Sequence, residues 1–182
     1  MRIRPTRLEG PRLVELERHE DERGFFARTW CRREFEAAGI HVEMVQGNLS
    51  YNRQRGTLRG LHYQRAPHPE AKLVRVSHGA VYDVIVDVRP GSASFGQWEA
   101  FELSDENGRS LFVPEGFAHG FQSVRDDTSV LYLMSEFFAP ECGAGIVWND
   151  PDLGIPWPIP DPIVSEKDRA LPRLQDVARD AT

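Results

Sequence analysis

The chain has 182 residues, the length of one ordinary globular domain. Hydrophobic residues make up 40% of it, enough to build an apolar core, which excludes a disordered or fibrous protein. The formal net charge of -6 argues against general affinity for nucleic acid or for an anionic membrane, so an anionic ligand would need a local basic pocket.

The first residues lack the apolar stretch of a signal peptide, and no apolar run approaches the roughly 18 residues of a membrane span. We therefore expect a cytoplasmic protein that does not enter membranes. The two cysteines, Cys31 and Cys142, are too few for a disulfide framework or a thiolate metal site. We expect both to be reduced and packed.

One segment has the pattern of a helix. It is predicted over Arg32 to Ala38, with Thr29 as a candidate N-cap, Phe35 on the inner face and Gly39 at the end. Helices are expected to be few elsewhere, because the apolar runs after Gly39 are short.

Those short runs are rich in Val, Phe, Tyr and Leu, and turn residues separate them about every ten positions. The clearest predict strands over 73–76, 80–88, 95–103, 110–113, 120–124 and 128–138. Many short strands without intervening helices predict an all-β sandwich, jelly roll or barrel. From Pro151 the chain is rich in proline, which central strands exclude, so this part is expected to wrap around the outside of the strands. We expect residues 1–182 to form a single domain.

Two stretches hold more polar residues and glycines than a β core requires. In the first, residues 46–64, a strand over 57–64 would place Arg59 and His62 on opposite faces unless the chain bulges at Gly60. A polar edge strand with a solvated arginine and histidine would give the same pattern.

The second stretch, 114–121, has a tight turn at Gly116 before His119. The spacings Gly56-x5-His62 and Pro114-x-Gly116-x2-His119 resemble fragments of the two motifs of the cupin superfamily, a jelly roll with a pocket inside the barrel. Taken alone, His119 also fits a hydrogen-bonded structural histidine.

Metal-binding cupins require His-x-His followed by a glutamate. Here Tyr63 and Gln64 follow His62, and the nearest acid, Glu70, comes late. Because this set lacks the imidazoles expected for a catalytic transition metal, a metal site is only the second interpretation of the pocket.

The longest motifs of the chain follow one another in the order seen in a known enzyme family. They are Asp21-Glu-Arg23-Gly24-Phe-Phe26, Gln46-x-Asn48-x-Ser50, Arg55-Gly56-Thr-Leu-Arg59-Gly60-Leu-His62-Tyr-Gln64, Lys72-Leu-Val-Arg-Val-x-x-Gly79, Asp83-Val-x-Val-Asp87-x-Arg89, Phe112-Val-Pro114-x-Gly116-Phe-Ala-His119-Gly-Phe121, Tyr132, Trp148-Asn-Asp150-Pro151, Ile155-Pro-Trp157-Pro158 and Ser165-x-Lys167-Asp168. Through these motifs nearly the whole chain resembles the dTDP-4-dehydrorhamnose 3,5-epimerases. The resemblance implies a cupin jelly roll with a few short peripheral helices and without metal or other cofactor. It also implies a homodimer that shares its N-terminal strands.

The resemblance further implies epimerisation at C3 and C5 of a nucleoside-diphosphate 4-keto-6-deoxy sugar, with dTDP-4-dehydro-6-deoxyglucose going to dTDP-4-dehydro-L-rhamnose. Such a reaction removes a proton next to a ketone and returns it to the other face, so it needs a base, an opposing acid and a positive group at the enolate oxygen. By the resemblance, His62 is the base, Asp168 orients it, Lys72 faces the enolate oxygen and Tyr132 is the acid.

Six further residues are implied to bind the substrate: Arg23, Phe26, Gln46, Asn48, Arg59 and His119. The guanidinium groups of Arg23 and Arg59 suit diphosphate oxygens, and Phe26 would form an aromatic wall for the base. Without the resemblance, Arg23 also fits an ordinary turn arginine, and Phe26 an ordinary core residue.

Three positions depart from the family pattern. Arg28 stands where a glutamate is common, and Phe138 and Gly143 stand where a tyrosine and a glutamate are common. The alternatives left open are a 3-epimerase or related isomerase of a secondary deoxysugar pathway, a metal-dependent cupin oxygenase, and a non-catalytic cupin that binds sugar nucleotides.

Overall fold

The computed structural model describes residues 1–180, so the last two residues of the predicted domain, 181 and 182, lie outside it. The strands are β1 (Arg2–Pro5), β2 (Arg12–Glu15), β3 (His19–Asp21), β4 (Gly24–Phe26), β5 (Gln46–Asn52), β6 (Leu58–Gln64), β7 (Lys72–His78), β8 (Ala80–Asp87), β9 (Trp98–Ser104), β10 (Arg109–Val113), β11 (Phe117–Ser123), β12 (Thr128–Met134) and β13 (Gly143–Gly145). The helices are α1 (Arg32–Ala37), α2 (Glu166–Arg169) and α3 (Leu174–Asp180), with a 3-10 turn at Pro140–Cys142. Among the described residues, no helix combines the length and the apolar composition needed to cross a membrane.

Two antiparallel sheets form the body of the protein. The six-stranded sheet has the order β1-β2-β10-β7-β12-β5, the five-stranded sheet has the order β13-β6-β11-β8-β9, and β3 and β4 form a separate hairpin. Val74 and Val130 of the first sheet pack with Ile85 and Phe117 of the second in one buried core, so the sheets face each other. The prediction of an all-β jelly roll with few short helices is confirmed.

The apolar sequence of β8 reflects burial on both of its faces. Ile85 belongs to the core between the sheets, whereas Val84 and Val86 pack on the other face against Ile146 and Leu153. Each such side chain contributes about 1.5–3 kcal/mol when fully buried. The segment after the barrel strands therefore covers apolar surface that would otherwise meet water.

Several element boundaries differ from the prediction, chiefly the following three. The N-cap of α1 is Cys31 and not Thr29, because the carbonyl of Cys31 accepts the first helical hydrogen bonds from Glu34 and Phe35. Residues 95–97 form a turn before β9, and β12 ends at Met134 instead of continuing to 138. Phe35 is fully buried, as predicted.

The proline-rich segment is attached to the five-stranded sheet by specific contacts. The ring of Trp157 meets Tyr82 edge to face at 6.0 Å. The side-chain amide of Gln122 both donates to and accepts from the backbone of Ile159, at 2.9 and 3.0 Å. Farther on, Ile163 pairs in parallel with Thr57, which leads the chain into α2 beside β6.

Candidate active site

A bulge in β6 brings Arg59 and His62 to the same cavity. On β11, His119 pairs with His62 and Phe121 with Arg59, so two steps along β11 match three steps along β6. Gly60, at the bulge, has φ +137°, and a Cβ there would lie 2.5 Å from the Cα of Gly120. The bulge therefore requires glycine, and it cancels the alternation that would separate the two side chains.

Two adjoining cavities, of about 410 and about 550 Å³, share His62, Lys72, Tyr132 and Asp168 in their walls. Eight of the ten predicted site residues line one or both cavities: His62, Lys72, Tyr132, Asp168, Gln46, Asn48, Arg59 and His119. Strands of both sheets and the segment around α2 contribute to this set. The site thus lies between the sheets and is completed by the segment after the barrel.

His62 and Asp168 form a close pair. Nε2 of His62 lies 2.7 Å from Oδ1 of Asp168, whose side chain is 7% exposed and also accepts from the backbone N–H of Gly60. Ser165 caps α2 by accepting from the backbone N–H of Asp168, which fixes this residue in the first turn.

The protonation of this pair follows from its contacts. Burial raises the pKa of Asp168, but hydrogen bonds and the charge of His62 outweigh burial and lower the pKa overall. An ionised carboxylate only accepts hydrogen bonds, so Nε2 of His62 carries the proton. The lone pair of Nδ1 is then the one available to accept a proton from a ligand.

Lys72 and Tyr132 stand on neighbouring strands. The ammonium of Lys72 donates to the backbone carbonyl of His62 at 3.2 Å and forms an ion pair with Glu70 at 2.8 Å. Burial has the largest effect and raises the pKa of the Tyr132 hydroxyl. The charge of Arg59 lowers it and the weaker effect of Glu70 raises it, so the pKa is raised overall. Tyr132 is therefore protonated at neutral pH and can act as a proton donor.

Arg59 and His119 are held by buried polar side chains. Nε of Arg59 donates to Oδ1 of Asn52 at 2.8 Å, and Nε2 of His119 lies 2.9 Å from Oδ2 of Asp83. Our sequence reasoning gave no role to Asp83. Its position in the middle of the apolar strand β8 was the available signal, because an acid is rarely buried without a partner.

Arg23 and Phe26 lie outside both cavities within the described chain. They belong to the β3–β4 hairpin, where the side chain of Arg23 is 86% exposed and pairs with Asp21, and Phe26 is 74% exposed. The structure therefore does not bring these two predicted binding residues to the site of their own chain. Of the three departures from the family pattern, Phe138 and Gly143 line the larger cavity.

The third departure, Arg28, pairs at 2.5 Å with Glu34 of α1 and is not among the residues of either cavity described for this chain.

Within residues 1–180, no group of three His, Cys, Asp or Glu side chains is arranged to hold a metal ion. Two charged residues to which the sequence reasoning gave no role, Glu70 and Lys167, do line the larger cavity.

The comparisons with known proteins agree with one another. A family model described as dTDP-4-dehydrorhamnose 3,5-epimerase matches residues 5–176. The chain is 47% identical over 174 residues to a dTDP-4-dehydrorhamnose 3,5-epimerase of Methanothermobacter thermautotrophicus, a match that covers 94% of this chain and 93% of the relative.

Two solved structures illustrate the range of similar enzymes. The dTDP-6-deoxy-D-glucose-3,5-epimerase of Legionella pneumophila in complex with dTDP-4-keto-L-rhamnose has a TM-score of 0.93 and 38% identity, covering 99% of this chain and 96% of its own. The 3'-monoepimerase ChmJ of Streptomyces bikiniensis in complex with dTDP-quinovose has a TM-score of 0.91 and 35% identity, covering 97% and 89%. From the family match over nearly its whole length, this chain belongs to the dTDP-4-dehydrorhamnose 3,5-epimerase family.

Proposed function

We propose that this protein epimerises C3 and C5 of dTDP-4-dehydro-6-deoxyglucose to give dTDP-4-dehydro-L-rhamnose. The observation that carries the proposal is the buried His62–Asp168 pair, which shares its cavity with Lys72 and Tyr132. Base, cation and acid are the three groups that this chemistry requires. The Legionella relative, solved with dTDP-4-keto-L-rhamnose, supports the same choice of substrate.

In the proposed reaction, Nδ1 of His62 takes the proton from the carbon next to the ketone. Asp168 stabilises the imidazolium that forms, as a buried carboxylate does in a hydrolase triad. The carbon acid is far weaker than an imidazolium, and a general base contributes only about 10² to 10⁴-fold. The larger contribution is therefore assigned to the ammonium of Lys72, placed in advance at the oxygen that gains negative charge.

Tyr132 then delivers a proton to the opposite face of the enolate. Each inversion leaves His62 with one proton more and Tyr132 with one fewer, so both must exchange protons with solvent before the next event. Arg59 and His119 are proposed to bind the diphosphate, since both are held in place by buried partners. Gln46 and Asn48 supply further polar contacts.

The proposed reaction is tested by NMR of dTDP-4-dehydro-6-deoxyglucose incubated with the protein in D2O. We expect deuterium at both C3 and C5 together with the rhamno product, and no turnover by His62→Ala, because that variant lacks the proton acceptor. Residual activity of His62→Ala within tenfold of wild type would contradict the assignment of the base.

A 3-epimerase is the second candidate function. It is favoured by Phe138 and Gly143, which change the wall of the larger cavity, and by the likeness to a 3'-monoepimerase. Deuterium at C3 alone, with a product inverted only there, would establish this candidate in place of the first.

We also propose that the protein is a homodimer in which the β3–β4 hairpin of one protomer reaches the cavity of its partner. Phe26 and Arg23 are exposed on that hairpin, and Leu49 and Leu131 expose an apolar surface on neighbouring strands of the six-stranded sheet. Arg75 lies opposite Leu131 in the register of this sheet, and its Nε is buried without a hydrogen-bond partner among the described residues.

Complementation tests the shared site. Arg23→Ala and His62→Ala should each be inactive alone. Random pairing on co-expression makes about half of the dimers mixed, each with one intact site of two, so the whole preparation should have about a quarter of wild-type activity. A monomer by light scattering, or co-expressed variants that remain inactive, would refute the sharing of the hairpin.

A further inference from the structure

The chain contains only two lysines, Lys72 and Lys167, among its 22 basic residues of Lys and Arg type, and both line the larger cavity. Elsewhere in the sequence every permanent cation is an arginine. Among the residues that the structure describes, Lys72 is also the lysine with a close acidic partner: its Nζ lies 2.8 Å from Oε1 of Glu70, and the two side chains are 9% and 7% exposed. A nearly buried ion pair therefore stands in the wall of the proposed reaction site.

The loop that carries Glu70 is fixed on both sides of this residue. Before it, the side chain of Gln64 donates to the carbonyl of His68 at 3.0 Å. After it, the backbone N–H of Ala71 donates to the hydroxyl of Ser135 at 2.7 Å. Because the backbone is held, the carboxylate of Glu70 meets Lys72 from a defined position.

We propose that Glu70 is a positioning residue, which holds the ammonium of Lys72 in the place where it stabilises the enolate oxygen. This inference rests on the proposed function of the site. Glu70 does not touch the reacting atoms in this reaction. It acts through Lys72.

The hydrogen-bonding capacity of the ammonium supports this role. Lys72 has three N–H donors, and among the described residues Glu70 and the carbonyl of His62 engage two of them. One N–H is left for a substrate oxygen. A lysine side chain otherwise has four rotatable bonds, and fixing them costs conformational entropy. The two described partners supply that fixation before the substrate arrives.

The other charged and titratable groups around the pair have partners or positions of their own. Asp168 is paired with His62, Tyr132 stands on β12, and Lys167 belongs to α2. Of the acids that line the larger cavity, Glu70 is thus the one in contact with Lys72, and Asp168 is committed to the base. Because the two pairs are separate, Asp168 stays available to His62 and Glu70 stays available to Lys72.

Steady-state kinetics of two variants test the proposal. Glu70→Gln keeps the shape and a hydrogen-bond acceptor but removes the charge, and we expect kcat to fall at least about tenfold while KM changes less than about threefold. Glu70→Asp restores the carboxylate and should recover most of the lost kcat. The matched control is Glu136→Gln, which removes a charge next to the same loop, at the contact with His68, and should behave as wild type.

Equal kcat for Glu70→Gln and wild type would overturn the proposal. So would an equal loss in Glu70→Gln and Glu70→Asp, because a merely structural role does not depend on the charge. Thermal unfolding of each variant is followed by circular dichroism, so that loss of fold is recognised directly.

A second measurement does not depend on the substrate. With lysine labelled by 15N at Nζ, the ligand-free protein has two ammonium groups to observe, and Lys72→Arg assigns them. We expect hydrogen exchange of the Lys72 ammonium with water to accelerate at least about tenfold in Glu70→Gln, and that of Lys167 to stay constant. Unchanged exchange at Lys72 refutes the positioning role, whereas altered exchange in a protein that epimerises no sugar refutes only the proposed function.

Discussion

Replacing Asp168 by asparagine removes one charge from the proposed base and leaves the side chain nearly the same size. In the wild-type structure the carboxylate lies 2.7 Å from Nε2 of His62, and in the proposed reaction it stabilises the imidazolium that forms when His62 takes a proton. The amide lacks this charge, so it no longer stabilises the positive charge that develops on His62 during proton transfer. We therefore expect Asp168→Asn to lower kcat without preventing substrate binding.

The magnitude follows from the distance. Two unit charges 2.7 Å apart attract each other by about 6 kcal/mol at an effective dielectric constant of about 20, and by about 1.5 kcal/mol in bulk water. The His62 side chain is 42% exposed, so water screens the pair and we take about 3 kcal/mol, between these limits. At about 1.4 kcal/mol for each factor of ten, kcat should fall by about 10²-fold.

The assay is the rate of deuterium wash-in at C3, measured by NMR with saturating sugar nucleotide. Asp150→Asn is the control, because it removes another buried carboxylate of the C-terminal segment that lies outside the two cavities described here. Any loss of stability common to both variants is seen in their unfolding curves. An Asp168→Asn enzyme that retains kcat within about fivefold of wild type would refute the reasoning.

Four further outcomes are expected. Tyr132→Phe should wash deuterium into C3 with retained configuration and little epimer, since the base remains and the acid is lost; undiminished epimer by NMR would mean another donor. Activity should persist after exhaustive chelation, and a loss restored by one particular metal would favour a cupin oxygenase. Gly60→Ala should lower the free energy of unfolding in urea by about 2 kcal/mol or more, because its Cβ would meet Gly120, whereas Gly91→Ala, with open space around it, should cost less. The pKa of Asp168 is lowered on folding. Its ionised form therefore stabilises the fold at pH values above the ordinary pKa of 3.8, and this contribution is lost as the pH falls. The difference in Tm between wild type and Asp168→Asn should accordingly become smaller in acid.

The fold was predictable from the sequence because the features that indicate a strand, an apolar run bounded by turn residues, lie within a few consecutive positions. Runs of apolar residues and turn signals located most barrel strands to within a few positions, and the possible bulge at Gly60 was visible as a glycine inside a polar strand. The predicted N-cap was wrong because Thr29 is the residue of a capping type before α1, but the sequence alone does not show which carbonyl accepts the first helical hydrogen bond. Cys31 does so through its backbone, a function that its side chain does not reveal.

The site was less accessible to reasoning from composition and periodicity. His62 and Asp168 are 106 positions apart, and the proline-rich segment between the barrel and α2 has no period from which its path could be computed. Only the family resemblance indicated their pairing. Glu70 was overlooked as a partner because a buried acid paired with a lysine and a solvated surface acid look the same in sequence. The two kinds of acid differ only in burial, and burial depends on packing between residues that are far apart in the sequence.

Asp168 is supplied by α2, which follows the barrel strands. Loss of activity and loss of the β-structure are therefore two separate events in this protein. The core between the sheets is made of strands that do not include this segment, whereas the partner of His62 is present only when the segment is docked. The four-residue helix α2 has far fewer contacts with the sheets than the central strands have with one another, so it is expected to open at a lower free energy than the barrel. Turnover therefore reports the docking of the C-terminal segment, and circular dichroism reports the sheets. On heating, activity should therefore be lost at a lower temperature than the circular-dichroism signal of the β-sheets.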